Sequence, residues 1–491
     1  MLLQGEEIPN HQTMTTFPLC PFVFLPFVPW TVGDYSFVRH GLFATHGNSS
    51  LAAQPPSLIN RIPIEVLGEI FNQCLKNPDV SMEYMRERRV TNSPSSSIDP
   101  MTLAQVCQHW RVVALSMPVL WSSIYITSPC WGHLRLTRVW LDRSGTCPLD
   151  IQLVQQQRSG LIMDHAVTHE LITLLITQIH RWRSISFHLW ERIPSSLSQI
   201  SHNFLTQLES VTVLVSMKQP SENAHLDNMW RAAHAAPTLR EVHWDRDYLA
   251  TMPSHIPWNQ LTVVCLHAIL PMPSLMNILH SCQNVVNLDV HIHEISPIPP
   301  TPATLPHLRR LSIWSGCPFN LFLDHLTLPQ ISSLDLIRSY DPIIPEECTS
   351  LNNLLTRSDR YLSNLLFSDE QHKDNGGSIV AFLGLPRMSS LKDLEILSPA
   401  GEQVMHALTC ESEPSHEVLL PRLEKLCLAR CHTTPDILSN MVLSRKVAAD
   451  GKVSRLRYLE IMTWKPRSSI GELAIFRELA GNGLDIKLYD A

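Results

Sequence analysis

The stretch "LDVHIHE" carries the side chains best suited to chemistry in this chain: Asp289, His291 and His293. Alternate residues of a β-strand share a face, so the three can converge on a metal ion. No catalytic zinc motif such as HExxH accompanies them, and solvent-facing histidines are the preferred reading. A second cluster, "CLARCH", holds Cys427, Cys431 and His432. A zinc site needs a second, matched set of ligands, and none is spaced for it. These cysteines read as small buried apolar residues. There is no GxSxG elbow for a serine nucleophile and no GxGxxG or GxxxxGK[ST] loop for a phosphate. The chain is expected to have no catalytic, cofactor-binding or metal-binding residues and not to be an enzyme.

The totals agree with a binding protein. Of 491 residues, 44% are apolar and only 17% charged, enough for an extensive core. The net charge of −7 and a longest basic run of "RERR", Arg86 to Arg89, disfavour a nucleic-acid partner. Twelve cysteines without a CxxC pair read as intracellular and reduced, hence cytoplasmic or nuclear. The apolar segment "FPLCPFVFLPFVPW", Phe17 to Trp30, is too short and too rich in proline to span a bilayer. Glu6 and Glu7 stand where a signal peptide carries basic residues. Residues 1–55 are expected to be a disordered or apolar tail, with no membrane role.

Two helices come next. In "INRIPIEVLGEIFNQCL", Pro63 suits the first turn and Glu65 favours the positive end of the helix dipole. Leu67, Ile70, Phe71, Cys74 and Leu75 form an apolar stripe. In "TLAQVCQHWRVVALSMPVLW", Leu103, Val106, Trp110, Val113 and Met117 recur in steps of three and four, which predicts one helix stopped by Pro118. Asp99 and Pro100 form the cap and first position of that helix. The polar interval 77–98, with Ser93-Pro94, reads as a disordered insertion. Beyond it, "WSSIYI" and "CPLDIQL" read as strands around a helix closed at Gly145.

From residue 182 a six-residue pattern, L-x-x-L-x-L with related apolar residues allowed, recurs. Copies begin at 208, 239, 261, 285, 308, 331, 391, 423 and 456, with weaker ones at 182 and 362. "LDIKL" near the C-terminus is a candidate closing strand. The spacing of 22 to 33 residues fits one strand and one return segment per unit, as in leucine-rich repeats. The first, fourth and sixth residues then face the core. Fifth positions such as His243, Asp289, Ser312, Asp335, Glu395 and Glu460 face outward. So do the residues two further on: Asp245, His267, His291, Trp314, Ile337 and Met462. The asparagine or cysteine usual at a ninth position is met only by Cys431, so an irregular array with longer helical returns in its C-terminal half is expected. A doubly wound sheet is the rival reading.

The paired helical segments resemble the F-box motif. Ile62-Pro63 matches its apolar-proline lead, and Glu65, Leu67, Ile70 and Phe71 its first helix. Val106, Cys107, Trp110 and Arg111 match V-C-x-x-W-R, and Pro118, Leu120 and Trp121 match P-x-L-W. The whole resembles F-box-like proteins of mushroom-forming fungi that carry degenerate leucine-rich repeats. Two departures are the isoleucine before Pro63, where leucine is usual, and the insertion of about 20 residues between the helices. The resemblance implies an α/β protein: a small all-α F-box module at 56–126, then a leucine-rich-repeat-like solenoid at 127–491 that binds substrate. It implies a Skp-type adaptor, and through it a cullin, as partners. Ile62, Pro63, Ile70 and Val106 are the adaptor-facing candidates, and Leu67, Phe71, Trp110, Leu120 and Trp121 the module's core. Asp289, His291, Trp314 and Asp335 are the candidates for holding an unknown protein substrate.

Overall fold

A computed structural model describes residues 62–76, 99–155, 165–190, 194–215, 223–246, 255–268, 270–293, 301–340, 345–369, 377–410, 418–431, 433, 436–447, 453–463 and 470–490. The N-terminal apolar segment, the insertion with Ser93-Pro94, and His432 lie outside these residues. All the described residues belong to one compact unit, 59–491.

The described residues form a mixed α/β structure with thirteen helices and a fourteen-stranded, wholly parallel sheet. The strands are β1 (Ser123–Thr127), β2 (Leu149–Val154), β3 (Trp182–Leu189), β4 (Ser210–Val215), β5 (Glu241–Arg246), β6 (Val263–Ala268), β7 (Asn287–Ile292), β9 (Arg310–Ser315), β11 (Ser333–Arg338), β12 (Asn364–Asp369), β13 (Asp393–Ala400), β14 (Lys425–Cys431), β15 (Tyr458–Thr463) and β16 (Asp485–Asp490). Two-residue strands β8 (Ala303–Thr304) and β10 (Leu326–Thr327) pair separately. In the large sheet each strand lies beside the next one along the chain. A doubly wound sheet reverses its strand order at a switch point, and this one does not.

The hexad pattern sets the core. In all eleven copies the first, fourth and sixth residues are buried, none more than 4% exposed. Strand register aligns the fourth positions in one row: Ile124, Ile151, Ile185, Val211, Val242, Val264, Leu288, Leu311, Leu334, Leu365, Leu394, Leu426, Leu459 and Ile486. At the second position a carbonyl accepts two N–H groups from the next strand. Glu209 receives Arg240 and Glu241, Arg240 receives Thr262 and Val263, and the pattern continues without a break to Glu424, which receives Arg457 and Tyr458.

Return segments close each unit. Helical returns occur in the C-terminal half, as at Pro345–Thr356 and Ile437–Val447, but also early, at His165–Ile176 and Asn223–His234. The shortest spacings fall between, and among the described residues the return from β5 to β6 holds the 3-10 turn Trp258–Gln260. Without an asparagine ladder, other side chains cap the carbonyls left open by these turns. The hydroxyls of Thr238, Ser358 and Ser390 donate to Leu208, Leu328 and Leu362. The Arg357 guanidinium reaches the carbonyls of Leu323 and Leu326. Arg445, 1% exposed, donates to Leu408 at 2.8 Å, Leu419 at 2.7 Å and Leu420 at 3.1 Å.

Burial lowers the affinity of Arg445 for its proton, and three carbonyls offset that desolvation. Arg445→Ala is expected to cost about 3 kcal/mol or more in denaturant unfolding, because hydrogen bonds to a charged group are each worth about 1.5–3 kcal/mol. Arg445→Lys should recover less than half, since a point-like ammonium cannot span the three acceptors.

Candidate docking surfaces

At the N-terminal end of the described chain, α1 (Ile64–Lys76) starts one residue after Pro63, whose carbonyl accepts the Leu67 N–H. Glu65 sits in its first turn. The predicted stripe divides. Leu67 and Phe71 are buried and Leu75 is half-buried, whereas Ile70 and Cys74 turn outward. Gly68 allows close approach to the end of the neighbouring helix: a Cβ there would lie 2.4 Å from Met117 Sδ.

The second apolar segment is two helices rather than one: α2 (Pro100–Val106) and α3 (Gln108–Ser116). Cys107, with φ −159° and ψ 171°, is extended and breaks the run. The break is locally satisfied. Cys107 Sγ accepts the Trp110 N–H at 3.4 Å, and Arg111 Nε donates to the Ala104 carbonyl at 2.9 Å. Asp99 caps α2 through the Thr102 N–H, with Pro100 at the first position, as read from the sequence. Periodicity alone could not show the break, because apolar steps of three and four continue across it.

The structure places Phe71 against Trp110, with ring centroids 4.8 Å apart. Leu120 and Trp121 are buried; Trp121 donates to the Ala114 carbonyl at 2.8 Å and packs edge-on against Trp140 at 4.8 Å. Trp121 thereby joins the helices to α4 (Trp131–Arg143), which ends at Gly145 with φ +55°. Pro63, Ile70 and Val106 are exposed, and Ile62 is half-buried against the core. Ile64, Val66, Val112, Leu115 and Val119 are exposed alongside them. These seven module side chains, Ile70 and Val106 included, are 41 to 58% exposed. With Trp131 they make up eight of the twelve large exposed apolar residues among the described residues. Such a concentration marks a place where another surface is expected to sit.

The outer face of the sheet carries the other candidates. His291 and Trp314 are register partners with stacked rings, centroids 5.2 Å apart. Trp314 is half-buried rather than standing free. Asp335 is buried, and Arg310 grips it through Nε at 3.0 Å and Nη2 at 2.8 Å. It sits two strands from Asp289 in the same row. Ile337, expected outward, is buried as well. His293 falls beyond the end of β7 and is exposed. Its ring still touches His291, centroids 5.9 Å apart, but His267 of β6 lies closer: its ring stacks on His291 at 4.3 Å and its Nε2 is 3.2 Å from Asp289 Oδ2. Sequence spacing names each of these residues, but only strand register pairs them. At the strand starts, a groove of about 810 Å³ is lined by Arg240, Thr262, Asn284, His307, Arg309 and Gln330, and no acidic residue lines it. Cys427 is buried beside Glu460, and burial pushes its thiol up to about 12, in keeping with an inert core residue.

No model of a known protein family matches the chain, and no curated protein does.

Buried His234 contributes to the acid behaviour of the chain. His234, among Trp230 and Trp244, has its Nδ1 3.2 Å from His255 Nδ1. Burial first, and His255 second, bring His234 down from 6.5 to about 3. Arg231 and Asp227 are the charged groups acting on His255. The folded chain thus resists a proton that the unfolded chain accepts below 6.5. Stability contributed by neutral His234 is full above pH 6.5 and is lost as pH falls toward about 3. Across that window the slope approaches about 1.4 kcal/mol per pH unit for one proton. His234→Gln should flatten the decline in melting temperature between pH 6.5 and 4; an unchanged pH profile would count against it.

Proposed function

We propose that this chain is the substrate-receptor subunit of a Skp–cullin–F-box type ubiquitin ligase. The observation that carries the reading is the cluster of seven exposed apolar side chains on α1 to α3 and the following turn, around a well-packed Phe71–Trp110 and Trp121 core. Three short helices with so much uncovered apolar surface fit a module completed by a partner. The I-P, V-C-x-x-W-R and P-x-L-W residues lie on these helices and the turns that flank them, which supports the reading. On this reading Ile62, Pro63, Ile70 and Val106 face the Skp-type adaptor. The sheet is the strand wall of a leucine-rich-repeat-like solenoid, supported by its chain-order strands and its 22- to 33-residue units.

The chain itself performs no chemistry on this view. It holds a protein substrate near a ubiquitin-conjugating enzyme, and tethering of this kind raises the local concentration of a target lysine to about millimolar. The cytoplasm or nucleus is the expected compartment. Among the described residues no helix is long and apolar enough to cross a membrane. A second reading keeps the same fold as an interaction scaffold whose module no longer engages the adaptor.

Binding of the purified full chain to a Skp-type adaptor separates the two. Wild type should bind, and Ile70→Asp with Val106→Asp should weaken binding at least tenfold, because exposed apolar anchors at an interface centre carry most of its affinity. Both positions are exposed, so the double variant should keep the wild-type melting temperature. No binding by wild type would leave the scaffold reading. On the sheet, Trp314→Ala with Asp289→Ala should abolish capture of a substrate recovered with wild type; undiminished capture would remove that face from the binding site.

A further inference from the structure

We infer that the outer face of β6 and β7 holds a zinc site formed by His267, Asp289 and His291. One nitrogen from each histidine and one carboxylate oxygen lie within 4.8 Å of one another. His267 Nε2 and Asp289 Oδ2 are 3.2 Å apart, about the edge of a tetrahedron with zinc bonds of about 2.0–2.1 Å. The His267 and His291 rings are stacked, so uptake of the ion requires them to unstack and turn one nitrogen each toward Asp289.

Three features favour an ion over a hydrogen-bonded cluster. Asp289 Oδ1 is buried and has no hydrogen-bond partner, so the carboxylate holds acceptor capacity that His267 does not use. All three residues are half-buried, which lowers competition from water. They project from adjacent paired strands, Asp289 from the row of Cys265 and His291 from the row of Trp314, so the backbone holds the donors in place. Two imidazoles and one carboxylate form a donor set of borderline softness, matched to zinc and its neighbours in the first transition row. Three protein donors leave a fourth position for water or for a donor from a bound molecule. Cys265, the register partner of Asp289, is not part of the set: its sulfur lies against His243 Nε2, 3.9 Å away, on the side of β5. Arg310, the cation that also acts on Cys265, is held by Asp335.

The test uses the metal-free full chain, Zn²⁺ in competition with a chromogenic chelator, and Co²⁺ as a spectroscopic substitute. Wild type should take up one equivalent of Zn²⁺ and give a tetrahedral Co²⁺ spectrum with no thiolate charge-transfer band. Asp289→Asn and His267→Gln, both close in shape to the native residues, should each weaken Zn²⁺ at least tenfold. His293→Ala, outside the cluster, should bind as wild type does. Absence of stoichiometric binding by wild type, a thiolate band, or wild-type affinity in both Asp289→Asn and His267→Gln would overturn the assignment. Circular dichroism melts without metal separate a lost ligand from a lost fold, and the wild-type stoichiometry and spectrum decide the case even if a variant fails to fold.

Discussion

One repeated contact keeps the sheet in phase: the carbonyl at the second hexad position, which accepts two N–H groups from the next strand, from Glu209 through to Glu424. Side chains alternate along a strand, so a slip of one residue would exchange its core and outer faces. Because the phase is held, fourteen fourth-position side chains align from Ile124 to Ile486, and the sixth positions align beside them. The outer rows depend on the same contact. It is what brings His267 beside His291, and His291 beside Trp314.

The strands were legible in the sequence because the apolar triplet is a local signal with a fixed period, and burial of Leu288, Leu311 or Leu426 follows directly from it. The Asp99–Pro100 cap and the Gly145 stop were legible for the same reason: each is decided within a few residues. What could not be read depended on partners distant in the chain. The outward stripe of α1 carries Ile70 because only Leu67, Phe71 and Leu75 find the core. Cys107 breaks a helix whose apolar spacing runs straight on. Asp335 looks like an exposed acid until β9 places Arg310 against it. His293 follows His291 at the strand period, but β7 ends at Ile292, and His267 of the neighbouring strand joins Asp289 and His291 instead.

Several polar residues inside the molecule answer backbone carbonyls or one another's charges. Arg445 serves three carbonyls. Arg338, fully buried, serves two acids, Asp369 at 2.7 Å and Glu347 at 3.4 Å, while its guanidinium rests over the Tyr340 ring at 4.3 Å. Glu347 in turn receives the Phe319 N–H and the Tyr340 hydroxyl. Such groups are costly to bury alone and tolerable as sets. They do here, with irregular spacing, what an asparagine ladder does in a regular array, and they let units of 22 and 33 residues share one sheet.

Because every strand of the large sheet pairs only with its neighbours along the chain, none must wait for a partner synthesised much later. Closing each new pair costs the entropy of a loop of a few tens of residues, a cost that grows only slowly with length. The sheet can therefore be laid down from β1 as the polypeptide leaves the ribosome, with the helices around Trp121 forming its first covered end.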